Sequence, residues 1–105
     1  MSYEKAANKA LKQDGVEVST MMKKPCLRYK GDFVAMMFDK ANAMIVKVSP
    51  DRVNELIAQG IGREFNFTKK RFKEWVLIPQ EREEEYERYI FEAIDYARRK
   101  KRPGK

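Results

Sequence analysis

Two short blocks, Phe33–Phe38 (FVAMMF) and Ala43–Val46 (AMIV), are apolar at every position, in a chain whose residues are 37% charged. A strand with one wet face alternates polar and apolar residues, so blocks of this length without alternation must be hidden on both sides. Phe33, Ala35 and Met37 should face one way, and Val34, Met36 and Phe38 the other. The stretch Trp75–Ile78 is likewise apolar at each position. Whatever fold this chain adopts has to cover both faces of a sheet.

Turn signals separate these blocks. Lys30-Gly31-Asp32 and Lys40-Ala41-Asn42 read as tight turns, so residues 27–30, 33–38 and 43–48 become three consecutive antiparallel strands. Further on, residues 64–67 alternate polar and apolar, and Lys73 to Ile78 forms a last strand ended by Pro79. Three segments carry helical spacing. Tyr3, Ala6, Ala7, Ala10 and Leu11 make a weakly apolar stripe, capped by Ser2 and ended at Asp14-Gly15, and a helix of that kind should pack shallowly. Ser49-Pro50-Asp51 opens a second helix that buries Val53, Leu56 and Ile57 and stops at Gly60. The third runs from Glu81 to about Lys101 on Tyr86, Tyr89, Ile90, Ala93, Ile94 and Ala97, with acids leading and bases trailing, as the helix dipole favours. The expected fold is α+β: two layers, an antiparallel sheet of about five strands with helices packed on one face, in the order α-β-β-β-α-β-β-α.

With helices on one face, the other apolar face needs a cover. The sheet can curl, the last helix can cross it, or a partner can dock there. The partner reading makes Val34, Met36, Phe38, Ile45 and Trp75 an interface, most simply of a homodimer.

The 105 residues suffice for one domain, taken as 1–101, with 102–105 as a flexible basic tail. Six basic groups fall in residues 98–105, leaving 17 basic against 16 acidic residues in 1–97. Six of the seven net positive charges therefore fall in residues 98–105, and the rest of the chain is nearly neutral. Such a tail either solubilises a helix end or holds phosphate. A nucleic-acid reading rests on Arg71, Lys73, Arg98, Arg99, Lys100, Lys101 and Arg102. No apolar run approaches the ~20 residues of a membrane helix, and the charged N-terminus lacks the apolar centre of a signal peptide. A cytoplasmic location is expected, consistent with a single cysteine, Cys26.

Chemistry is thinly represented. There is no histidine, which removes His-based acid–base catalysis and histidine metal sites. The acids at 81–87 surround a helix start and read as solvated charge rather than metal ligands. Cations beside Cys26 in Lys23-Lys24-Pro25-Cys26-Leu27-Arg28 favour a reactive thiolate, although a small buried cysteine at a strand start is equally ordinary. No catalytic residue, cofactor or metal is assigned.

The methionine-led strand entry (Met21, Met22), the Gly31-x-Phe33 hairpin, the strand Val46–Val48, the helix with Glu55, Leu56 and Gly60, a phenylalanine at 65 and the aromatic strand Trp75–Pro79 together resemble the TfoX N-terminal domain family and its YjbR-type relatives. The likeness covers roughly residues 15–100. It implies a two-layer α/β fold like that of secretion chaperones, and no catalytic residues. In two-domain members this unit precedes a helical domain and serves the regulation of natural competence; here it implies the N-terminal unit alone. The function expected is a non-enzymatic regulatory or protein-interaction domain, with nucleic-acid binding through the basic segment as the alternative.

Overall fold

The computed structural model describes residues 2–21, 24–65 and 73–100. Helix α1 (Ser2–Ala10) leads into β1 (Val16–Met21), β2 (Lys24–Tyr29), β3 (Asp32–Phe38) and β4 (Ala43–Lys47). Helix α2 (Pro50–Ala58), β5 (Arg63–Glu64), β6 (Trp75–Pro79) and α3 (Tyr86–Lys100) follow. The six strands form one antiparallel sheet in the order β1-β2-β3-β4-β6-β5. This is the expected α+β architecture with one strand more. The strand missing from the sequence reading is β1, whose residues Val16-Glu17-Val18-Ser19 do alternate.

Local chemistry accounts for the junctions. Lys30 and Gly31 both have positive φ, at 47° and 94°, as a two-residue hairpin loop between β2 and β3 demands. Between β3 and β4 a single 3₁₀ turn, Asp39–Ala41, ends on left-handed Asn42. The Ser49 hydroxyl accepts from the Arg52 amide at 3.2 Å and Pro50 begins α2. Gly60, with φ 77°, stops that helix as expected. Ile57, by contrast, is not on its buried face; it is 37% exposed.

Three expected boundaries move. Helix α1 ends at Ala10 rather than at Asp14-Gly15. The last strand begins at Trp75, with Lys73 and Glu74 in the preceding turn. The last helix begins at Tyr86, because Gln80–Glu85 forms 3₁₀ turns broken at Arg82 (φ −108°, ψ 25°). Tyr86 reaches back from the helix start and donates to the Ile78 carbonyl at 3.3 Å, fastening α3 to the end of β6.

All three helices bury their apolar faces on one side of the sheet. Ala6 and Ala10 of α1, Val53 and Leu56 of α2, and Tyr86 to Ala97 of α3 share one cluster with Leu27, Val34, Met44, Val46, Val76 and Ile78. The opposite face carries a second cluster of Cys26, Phe33, Met36, Phe38, Ala43, Ile45, Phe65 and Leu77, with Trp75 packed against it. Its rings run in a chain. Phe33 and Trp75 lie 4.9 Å apart between centroids, Trp75 and Phe65 5.1 Å, and Phe65 and Phe38 5.5 Å. Phe65 follows β5 and Phe38 ends β3, three strands apart, or about 14 Å at ordinary strand spacing. Phe65 therefore reaches back over the sheet.

This corrects the proposed interface. Val34 faces the helices, not the second face, because the β2–β3 register shifts: Arg28 pairs with Phe33 and Leu27 with Ala35, leaving Val34 as the extra residue of a bulge. Val34 and Ala35 consequently point the same way, and Phe33 joins Met36 and Phe38. Met36 and Ile45 have no exposure at all, Phe38 is buried and Trp75 half-buried within the single chain. Four of the five are core and Trp75 packs against it, so they form no open patch on the single chain.

Polar clasps tie the helices down. Arg52 forks onto Glu92 of α3, Nε to Oε2 at 2.5 Å and a second nitrogen to Oε1 at 3.3 Å, joining α2 to α3. Glu74 accepts from the Tyr96 hydroxyl and faces Lys100 at 3.4 Å and Lys47 at 3.8 Å. Burial works to raise the Glu74 carboxyl, but the hydrogen bond and the two cations outweigh it and hold it below its ordinary 4.5. Burial, then Glu74 itself, push the Tyr96 phenol up to about 12.

If the second face is closed, Met36→Ala destabilises the protein by about 2–5 kcal/mol in urea unfolding; a change within about 0.5 kcal/mol, typical of surface sites, would show that face to be open. For Glu74, a depressed folded-state value means that its contribution is present above pH 4.5 and is lost as pH falls through the folded value. Glu74→Gln should therefore lower the melting temperature at neutral pH and leave less acid-dependent loss below pH 4.5 than in the parent.

Candidate interaction edge and groove

Strand β1 borders the sheet, and its outer edge faces no described strand. Its pairing to β2 is unbroken from Val16↔Tyr29 to Met21↔Lys24, so it is a regular strand with half its amide and carbonyl groups directed outward. Side chains alternate. Val16 packs on the helix-side cluster and Met21 on the opposite one, which places Val18 and Thr20 with Val16, and Glu17 and Ser19 with Met21. Val18 is 57% exposed, the most exposed large apolar side chain among the described residues.

The reason lies in α1. Its buried residues are alanines, Ala6 and Ala10, and α3 presents Ala93 and Ala97 to the same cluster. Small side chains let the two helices pack closely, and α1 leaves β1 only partly covered. A groove of about 460 Å³ remains between them, walled by Tyr3, Ala7 and Leu11 and floored by Val18, Leu27 and Met37. At its end Lys24 donates to Asp39 at 2.6 Å. Burial, with a smaller contribution from Cys26, pushes the Tyr3 phenol up to about 12. At neutral pH that ring enters the groove as an uncharged phenol.

The other edge of the sheet is built differently. Strand β5 is two residues long, and both, Arg63 and Glu64, are exposed and charged. Short charged edges resist further pairing. Strand β1 has neither lysine nor proline nor bulge.

The other sequence-derived candidates do not converge on one place. Arg98 lies over the Tyr29 ring at 5.6 Å, Arg99 pairs with Asp95 at 2.8 Å, and Lys100 binds Glu74 and lies 5.2 Å over the Tyr96 ring. Lys73 sits beside a smaller cavity of about 290 Å³ with Ile57 and Trp75. Arg71, Lys101 and Arg102 fall outside the described residues. Among the described residues no three His, Cys, Asp or Glu side chains gather as a metal-holding group, and no helix is long and apolar enough to cross a membrane.

Cys26 is 1% exposed, inside the second-face cluster. Burial pushes its thiol up, and the charge and hydrogen bond of Arg28 offset this only in part. No family model matches this chain, and neither a curated protein nor a solved structure does.

A thiol with both poor access and a raised pKa reacts slowly. Titration of the native protein with a thiol-reactive disulfide at pH 8 should label Cys26 at least about tenfold more slowly than the urea-unfolded chain. Equal rates would restore the reactive-cysteine reading.

Proposed function

We propose that this chain is a non-enzymatic regulatory domain that works by protein–protein contact, and that partners dock on the β1 edge and the groove beside it. The observation that carries this reading is Val18, an apolar side chain left in water on a regular, open strand above an apolar groove. An added strand gains main-chain hydrogen bonds from the edge, and its alternate side chains gain apolar burial from the groove. The docking surface is thus an edge rather than the sheet face expected from the sequence. The resemblance to TfoX N-terminal domains agrees with a regulatory role and adds no residue to the site.

A photo-crosslinking residue at position 18 (Val18→p-benzoylphenylalanine), activated in living cells, should give adducts containing a second polypeptide. The same residue at exposed Asp51 on α2 should not. Absence of protein adducts at position 18 would end the docking reading.

A further inference from the structure

Resting on that reading of β1 as a docking edge, we infer that the strand's partner is β1 of a second copy of this chain, paired antiparallel about Val18. The two six-stranded sheets then become one continuous sheet.

Symmetry and sequence select the register. A twofold axis normal to the sheet keeps each residue and its copy on the same face. Directly opposed residues also share a face, so the paired positions differ by an even number and the axis passes through a residue pair. Within Val16–Met21 a centre at Val18 or Ser19 engages five residues of each strand, one at Glu17 or Thr20 three, and one at either end residue a single pair. A centre at Glu17 sets two carboxylates against each other, which is destabilising. A centre at Ser19 sets Glu17 against the partner's Met21. A centre at Val18 sets Val18 against the partner's Val18, Glu17 against the partner's Ser19, and Val16 against the partner's Thr20. Only the last covers the exposed valine with its own copy and gives the strand's one charge a hydroxyl to face.

The surroundings agree. The same axis keeps both helix layers on one side, so the two apolar grooves adjoin over the paired valines. The charged residues lining the groove, Glu4, Lys24 and Asp39, are of mixed sign and bring no large like charge to the contact. Among the described residues the opposite edge is a two-residue charged strand, which resists further pairing and favours closure at two copies over growth into a fibre. One strand pair and a groove make a small contact, near the ~1,200 Å² lower end of specific interfaces, the class to which weak, concentration-dependent pairing belongs.

Sedimentation of the full chain should show the mass rising from 12.4 kDa toward twice that value as concentration is raised. Val18→Lys should hold it at the single-chain mass, with its melting temperature unchanged from the parent at dilutions where the parent is also a single chain. The register has its own test. Opposed α-carbons lie about 4.5–5.5 Å apart, within disulfide reach, so Val18→Cys should oxidise to a covalent dimer. Two copies of Thr20→Cys would sit about 14 Å apart and should not. Buried Cys26 is common to both variants. Parent protein that keeps the single-chain mass to about 500 µM would overturn self-pairing for an interface of this class, and so would equal oxidation of the two variants. The docking reading is judged separately, by the mass of the adduct at position 18: twice the chain supports self-pairing, another mass means a different partner, and no adduct removes both.

Discussion

Strands β3, β4 and β6 carry apolar side chains on both faces, and the rest of the molecule is arranged around keeping water from both. On one side the cover is a layer of three helices. On the other it is a thin layer of rings, Phe33, Trp75, Phe65 and Phe38, linked at centroid distances of 4.9 to 5.5 Å. The bulge at Val34 lets β3 serve both layers. Two consecutive small or branched residues, Val34 and Ala35, turn toward the helices, while Phe33 joins the larger side chains beneath. A strand without the bulge would put Phe33 and Met36 on opposite faces and break the ring layer at its first member.

Helix α3 depends on this core and in turn holds the others. It receives Arg52 from α2 through Glu92, Lys9 from α1 through Glu87 at 3.2 Å, and the turn before β6 through Tyr96 and Glu74. These contacts differ in weight. Lys9–Glu87 is well exposed and worth at most about 1 kcal/mol. The forked, half-buried Arg52–Glu92 pair has the better geometry and fixes α2 against α3. With α3 anchored at Tyr86, the helix layer has a defined position over the sheet, and the place where it ends determines what stays uncovered.

Most of the architecture was legible in the residues, for reasons that are local. Gly31, Ser49-Pro50 and Gly60 each have a short-range chemical requirement, and the structure puts each where that requirement places it. The two-faced burial of residues 33–38 and 43–46 was legible too, since missing alternation is a one-dimensional signal. What covers the second face was not. Phe65 is brought there by tertiary packing: the alternation at 64–67 marks it as apolar within a strand pattern but does not say which face of the sheet it covers. The bulge was equally silent: it is a property of the β2–β3 register and shifts every orientation argued from simple alternation. The late start of α3 reflects competition between local 3₁₀ geometry, broken at Arg82, and a run of acids that any helix start would favour. Strand β1 is a different case. Val16-Glu17-Val18-Ser19 alternates plainly, but beside longer apolar blocks it passes for the tail of a loop.

The exposed edge follows from the same packing choice that stabilises the helix layer. Alanines at 6, 10, 93 and 97 line the core that α1 and α3 share, and their small side chains let the two helices lie close while β1 is left only partly covered. A larger residue at Ala7, on the groove wall, would shelter Val18 and fill the groove without altering the alanines that face α3. A lysine at position 18 would achieve solubility more simply still. Strand β5 shows that this sheet can end in charge, so an open valine on β1 is not a limitation of the fold. On the docking proposal the groove and the edge beside it act as one surface, and both trace to the place where the helix layer ends.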